Sequence, residues 1–177
     1  MLKSRNLLYF PCTETMLMYA LNDKPELSRI LGAAVPHTWP VSPEALPYFL
    51  SMVKIKAENA KWLNYIVVFP GTSTVVGDIG FLGPPDADGC VEIGYSVIPE
   101  YRGRGFATEM VQRMTDWAFS QQHVVSIRAH TMPGNTASIR ILRRCGYVHI
   151  STIDTEKGPK YLWKQINPSA TKPNTGI

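Results

Sequence analysis

A turn rich in glycine and arginine is the part of the sequence best suited to bind an anion. It follows an apolar strand and precedes a helix, and backbone N–H groups at a helix start lack intrahelical partners and attract phosphate groups. The glycines can adopt positive φ, and the arginines add charge-assisted donors. The turn therefore predicts a site for a nucleotide-like cofactor. The residues of the turn are Arg102, Gly103, Arg104, Gly105, Phe106 and Ala107.

Two familiar nucleotide-binding motifs do not fit this turn. A dinucleotide-binding fingerprint requires a third glycine where this sequence has Thr108. A phosphate loop of the Walker type requires Gly-Lys-Ser/Thr, which the sequence lacks. The pattern that remains is Arg-x-x-Gly-x-Ala, formed by Arg102, Gly105 and Ala107. A glycine turn without any function is the alternative.

A second block of residues follows an apolar strand predicted over residues 124–129. Asn135 or Thr136 can cap a short helix. Arg143 and Arg144 suit the negative end of that helix, and Gly146 suits the left-handed position that follows it. The block therefore predicts a short capped helix downstream of the anion-binding turn.

Together the two blocks resemble the GNAT superfamily of acetyl-coenzyme A-dependent N-acetyltransferases. The resemblance is closest to the branch that acetylates the N-termini of ribosomal proteins, judged by Glu-Ile-Gly-Tyr before the turn and Asn-x-x-Ser…Gly-Tyr after it. It implies an α+β fold with a mixed, mostly antiparallel sheet of six to seven strands. That sheet would be splayed between strands 4 and 5, at residues 90–97 and 124–129, and flanked by about four helices.

The resemblance also implies how acetyl-coenzyme A would bind. The main-chain amides of residues 102–107 would hold the pyrophosphate, and Asn135 would orient the pantetheine arm, with a helix cap as its alternative role. A main-chain N–H of Val97 or Ile98 would stabilise the oxyanion. Ser138 would contact the departing thiolate, with a bond to a helix carbonyl as its alternative.

Glu92 is the candidate general base. On a strand it shares one face with Gly94 and Ser96, whose small side chains leave space beside the carboxylate. Some members of the family use a strand glutamate near this place, which implies the role. The alternative is a partly buried glutamate paired with a basic neighbour. Many members have a tyrosine acid at the position of Leu142, so that group is ruled out here.

Composition limits the class of protein. The chain has 177 residues, 45% of them hydrophobic and 18% charged, which is typical of one globular domain. No apolar run reaches the roughly 20 residues that span a bilayer. Three cysteines and four histidines show no metal-ligand spacing. We expect a cytoplasmic protein that has reduced thiols and binds no metal.

The net charge of +4 suits a polyanionic cofactor better than nucleic acid, because the arginines cluster around the proposed cofactor elements.

The acceptor is predicted to be a protein N-terminus or a small-molecule amine. A non-catalytic acyl-coenzyme A-binding module and a ribosome-associated factor are the alternatives, and a homodimer is left open.

The chain is expected to form one domain over residues 1–166, with a disordered tail over residues 167–177. Helices are predicted over residues 13–21, 25–31, 43–60 and 105–121, in addition to the short helix after Asn135. Strands are predicted over residues 6–10, 65–69, 74–81, 90–97, 124–129, 146–152 and 160–166. His37, Trp39 and the connection at 152–160 are expected on the acceptor side.

Overall fold

A computed structural model describes residues 2–156 and 158–170 of the chain. The helices are α1 (Glu14–Asn22), α2 (Lys24–Leu31), α3 (Leu46–Ile55), α4 (Phe106–Phe119) and α5 (Thr136–Arg144), with short 3₁₀ turns at Pro43–Ala45, Ala57–Lys61 and Pro99–Tyr101. The strands are β1 (Leu2–Lys3), β2 (Leu8–Pro11), β3 (Asn64–Phe69), β4 (Thr74–Phe81), β5 (Cys90–Val97), β6 (Ser126–Thr131), β7 (Val148–Thr155) and β8 (Gly158–Ile166).

The strands form one mixed sheet in the order β1-β2-β3-β4-β5-β6-β8-β7. Within the described residues, β5 and β6 run parallel and every other neighbouring pair of strands runs antiparallel. The predicted α+β fold is confirmed. Over the described residues the sheet has eight strands instead of the predicted six to seven, because β1 adds a short edge strand, and five α-helices are present instead of about four.

The sheet is splayed between β5 and β6, as the sequence predicts. β5 pairs with β6 only at Cys90, Val91 and Glu92. It stays paired with β4 from Ile93 to Val97. The edge of β5 that faces β6 is therefore unpaired with that strand beyond Glu92, which leaves room between the two strands for a ligand.

Two hydrophobic cores cover the two faces of the sheet. On one face, α4 buries Met110, Val111 and Met114 against the strands, because these residues recur at helical spacing. On the other face, α1, α2 and α3 pack with the loop that contains the fully buried Trp39. The odd-numbered residues of β5 join the α4 core, so its even-numbered residues face α1–α3.

Several predicted boundaries were wrong. The helix predicted over residues 43–60 is divided into a 3₁₀ turn, α3 and a second 3₁₀ turn. The predicted connection at 152–160 is mostly strand, since β7 and β8 pair up to Thr155 and Gly158.

Asn167, the first residue of the predicted tail, is held by the fold. Asn167 is buried, and its side-chain amide donates to the Val124 carbonyl at 2.8 Å. Its backbone N–H also donates to the Val125 carbonyl at 2.9 Å. The predicted disorder is therefore wrong for Asn167, while residues 171–177 lie outside the described residues.

Candidate active site

A cleft of about 780 Å³ lies where the open end of β5 meets the starts of α4 and α5. That volume is typical of a site for a small molecule or cofactor. The loop after Trp39 closes one side of it. The residues that line the cleft are Val41, Ser42, Tyr95, Ser96, Val97, Tyr101, Arg102, Gly103, Gly105, Phe106, Ala107, Thr108, Asn135, Ala137, Ser138, Arg140, Ile141 and Arg144.

The predicted anion-binding turn borders this cleft. Gly103 has φ 74° and Gly105 has φ 81°, both in the left-handed region that favours glycine. Gly105 is the N-cap of α4 and forms no side-chain cap bond. The first N–H groups of α4 are therefore uncapped, and a Cβ at either glycine would meet no heavy atom within 4 Å. The turn thus combines free donors with open space, as a pyrophosphate site requires.

The arginines near the turn divide into two groups. Arg102, Arg140 and Arg144 line the cleft and give it positive charge. Arg102 is held in place because its Nε donates to the Val97 carbonyl at 3.0 Å. By contrast, the guanidinium of Arg104 lies over the Tyr101 ring, 4.7 Å from its centroid, so the Arg104 side chain packs beside the cleft rather than lining it.

The backbone of β5 presents N–H groups to the splay at alternate residues. The Ile98 N–H donates to the Val76 carbonyl at 3.0 Å, and the Glu92 carbonyl accepts from the Leu82 N–H at 2.9 Å. These bonds fix the even-numbered residues as those bonded to β4. The N–H groups of Tyr95 and Val97 therefore point toward the splay. Of the two predicted oxyanion donors, Val97 remains available and Ile98 does not.

Residues of α5 form the opposite wall. The Asn135 side chain accepts from the Ser138 N–H at 3.1 Å, so Asn135 caps the helix and also lines the cleft. Ser138 lines the cleft as well. The hydroxyl of Tyr95 lies 3.5 Å from the Ser138 carbonyl, and burial raises the pKa of Tyr95 to about 12. A neutral phenol at Tyr95 is therefore added to the predicted site.

Glu92 lies apart from the cleft, at the closed end of the splay. One carboxylate oxygen accepts from Arg128 Nε at 3.0 Å, and the other lies 2.8 Å from His130 Nδ1. Arg128 also reaches Asp86, at 3.4 Å. Both oxygens of Glu92 are thus engaged by basic neighbours, which is the paired arrangement that the sequence left as the alternative. Parallel pairing of Glu92 with Arg128 produces it.

A second carboxylate lies behind Ser96 and was missed in the sequence. Asp78 on β4 is the cross-strand neighbour of Ser96, whose hydroxyl donates to it at 3.1 Å. The indole N–H of Trp39 donates to the other carboxylate oxygen at 2.9 Å. Burial raises the pKa of Asp78 to about 6, although these two donors oppose the shift. Its sequence signal is a single charge within the apolar strand β4.

The family model of the acetyltransferase (GNAT) domain matches residues 11–148. The chain belongs to the GNAT acetyltransferase family. An uncharacterized N-acetyltransferase from Bacillus subtilis, YjdG, is 33% identical over 121 residues, covering 67% of this chain and 71% of that protein. N-acetyl transfer to an amine is therefore the activity of this family member.

Solved structures confirm the fold. A ribosomal-protein-S5-alanine acetyltransferase from Vibrio fischeri superposes with a TM-score of 0.72 at 18% identity, covering 97% of this chain and 98% of that one. A dodecameric spermidine N-acetyltransferase from Vibrio cholerae superposes with a TM-score of 0.67 at 14% identity, covering 93% and 95%. The family uses acetyl-coenzyme A.

The described residues lack two further features. Residues 2–156 and 158–170 contain no group of three or more His, Cys, Asp or Glu side chains placed to hold a metal ion. None of the helices within these ranges is long and apolar enough to cross a membrane.

Proposed function

We propose that this GNAT protein transfers the acetyl group of acetyl-coenzyme A to a protein N-terminus or a small-molecule amine, by direct attack in a ternary complex. The observation that supports it is the uncapped start of α4, which faces a positively charged cleft beside the splay of β5. Such a cleft offers donors to a pyrophosphate at one end and room for a thioester at the other.

The proposed assignment of binding roles follows the cleft from end to end. The main-chain amides of residues 103–107 hold the pyrophosphate, with charge support from the Arg102 side chain. The predicted Arg102 amide is not available, because its N–H donates to the Pro99 carbonyl at 3.2 Å. The Val97 N–H donates to the thioester oxygen, where negative charge develops. Asn135 and Ser138 contact the pantetheine arm and the sulfur. The acetyl-coenzyme A supplies an activated acyl group, and the protein supplies its orientation.

The two candidate classes of acceptor differ in how easily the amine loses a proton. An α-amine with a pKa near 8 is neutral in roughly a tenth of molecules at pH 7, whereas a lysine-type amine is neutral in far fewer. A protein N-terminus therefore needs less help from a base than a polyamine does. Both classes occur among the acceptors in the names of the superposed structures, so both belong in the test.

The test has two stages. Calorimetry with coenzyme A measures binding, and release of free thiol from acetyl-coenzyme A is then followed with a panel of peptides with free N-termini, spermidine and other small amines. We expect binding and turnover with one class of amine. Binding without turnover for any amine would favour the non-catalytic acyl-coenzyme A-binding module, and no binding would refute the site.

A ribosome-associated role is the remaining candidate. Co-sedimentation with ribosomes at low and at high salt tests it separately from catalysis. Binding that resists salt would support a protein acceptor on the ribosome. Binding lost at moderate salt would be attributed to the net charge of +4 alone.

A further inference from the structure

The face of β5 turned toward α1–α3 has an open surface beside the splay. Gly94 is exposed, and a Cβ placed on it would meet no heavy atom within 4 Å. Ser96 follows on the same face and lines the cleft. An amine that enters over Gly94 would therefore reach the thioester next to the Ser96 hydroxyl.

The Ser96 hydroxyl is already committed as a donor. It donates to Asp78 at 3.1 Å, while the opposite oxygen of Asp78 accepts from Trp39 at 2.9 Å. A hydroxyl that donates to a carboxylate keeps its lone pairs free to accept from another group. The lone pairs of Ser96 are thus available to an amine in the cleft, and Asp78 lies one hydrogen bond behind.

The surroundings of Asp78 favour a carboxylate that can take up a proton. Its cross-strand neighbours are Ile66 on β3 and Ser96 on β5. Trp39 packs against it from the loop, and the Cys12 thiol, which lies two residues before α1, interacts with it as well. Burial raises the pKa of Cys12 well above its usual range, so that thiol is neutral. Lys24 donates to the carbonyl of Trp39 rather than to Asp78, and burial raises the pKa of Asp78 to about 6.

Glu92 offers a contrast on the same face. It lies four residues from Ser96, or about 13 Å along the strand. It is located where β5 and β6 are still paired, and its oxygens are engaged by Arg128 and His130. Both oxygens therefore already have partners on β6. Asp78 is therefore better placed than Glu92 to reach an acceptor in the cleft through Ser96.

We propose that Ser96 and Asp78 form the proton relay that deprotonates the acceptor amine, resting on the acetyl-transfer function proposed above. The acceptor ammonium gives one proton to Ser96 Oγ while the Ser96 hydroxyl proton passes to Asp78, which becomes neutral. The freed nitrogen lone pair forms the C–N bond to the acetyl carbon as the C–S bond breaks. The second amine proton goes to the departing thiolate, and Asp78 returns its proton to solvent.

In this scheme Ser96 is the catalytic residue, because it touches the amine, and Asp78 acts through it. Trp39 is a positioning residue, since its N–H orients the carboxylate. The relay also explains a polar pair on a strand surface that otherwise borders a hydrophobic core.

The test measures kcat/KM for the best acceptor as a function of pH in the wild type, Asp78→Asn, Ser96→Ala and Glu92→Gln. The wild-type rate should fall on the acid side with an apparent pKa near 6. Asp78→Asn and Ser96→Ala should each lower kcat by at least tenfold and should abolish that acid limb, with the Kd of coenzyme A unchanged. Glu92→Gln should keep the limb. Ser96→Thr keeps a hydroxyl at this position, so activity retained in Ser96→Thr but lost in Ser96→Ala would show that the hydroxyl itself is needed.

The opposite pattern would overturn the relay. In that pattern Asp78→Asn keeps the acid limb and a kcat within about twofold of the wild type, whereas Glu92→Gln loses both. Such a result would assign the base to Glu92. A wild type that binds coenzyme A but acetylates no amine would instead contradict the proposed function. The two failures are therefore distinguishable.

Discussion

Replacing Gly105 with alanine tests the anion-binding turn most directly. Gly105 has φ 81° at the N-cap of α4, a conformation that costs a residue with a Cβ about 1–2 kcal/mol. The added methyl group would meet no protein atom within 4 Å, so the neighbouring structure does not have to move. The expected loss in the free energy of unfolding is therefore limited to that backbone cost.

The same methyl group should weaken coenzyme A binding by a separate route. It would occupy space that Gly105 leaves open in the cleft beside the free amides of α4. Loss of one charge-assisted hydrogen bond to a pyrophosphate oxygen costs about 1.5–3 kcal/mol. This corresponds to a Kd for coenzyme A that is about 10- to 150-fold higher. Calorimetry measures the affinity, and urea denaturation measures the stability.

Gly32→Ala is the matched control. Gly32 has φ 60° at the C-cap of α2, and a Cβ added to it would also meet no heavy atom within 4 Å, but it does not line the cleft. We expect it to lose a similar free energy of unfolding and to bind coenzyme A as the wild type does. Equal loss of stability in both variants, with unchanged coenzyme A affinity in Gly105→Ala, would refute the pyrophosphate site.

Three further predictions concern the acceptor side. Gly94→Val should lower kcat/KM for the acceptor about tenfold by filling the open surface of β5 next to Ser96, with coenzyme A affinity intact. Gly83→Val is its control, because Gly83 also has open space but lies in the connection after β4 rather than on β5, and equal effects of the two would argue against acceptor entry over Gly94. Asp78→Asn should raise the free energy of unfolding at pH 8 by up to about 3 kcal/mol, because the raised pKa of the carboxyl makes wild-type stability fall as pH rises from about 4 to 6. Urea denaturation at pH 4 and at pH 8 measures this gain, and a gain that does not depend on pH would contradict the prediction. Trp39→Phe removes a donor that favours the charged carboxylate, so the acid limb of the rate profile should move to higher pH; an unmoved limb would exclude Trp39 from positioning Asp78.

The local backbone structure on the cofactor side of the candidate site could be predicted from sequence because its signals are local. A glycine with positive φ, a helix start and a capping asparagine each act within a few residues of the chain, and Gly103, Gly105 and Asn135 are located as expected. The splay beside β5 followed from the family resemblance. The choice of Val97 over Ile98 required the pairing register with β4, which sequence alone does not provide.

The base could not be predicted in the same way because its environment depends on distant strands. Glu92 does share a face with Gly94 and Ser96, as the alternation predicts. The pairing of β5 with β6 also brings Arg128 beside it, 36 positions along the chain, and His130 follows two residues later. Asp78 faces Ser96 only through the antiparallel pairing of β4 with β5. Both carboxylates are thus defined by tertiary neighbours that no local pattern specifies.

The register between β4 and β5 determines both functions of β5. In this register the N–H groups of Tyr95 and Val97 point into the splay, while the side chain of Ser96 faces Asp78. A one-residue slip would exchange the two sets and turn Ser96 into the α4 core. Gly77 helps to fix the register, because a Cβ there would lie 2.1 Å from the Ser96 carbonyl oxygen. The close approach at Gly77 therefore holds the acceptor-side relay and the cofactor-side amides in place together.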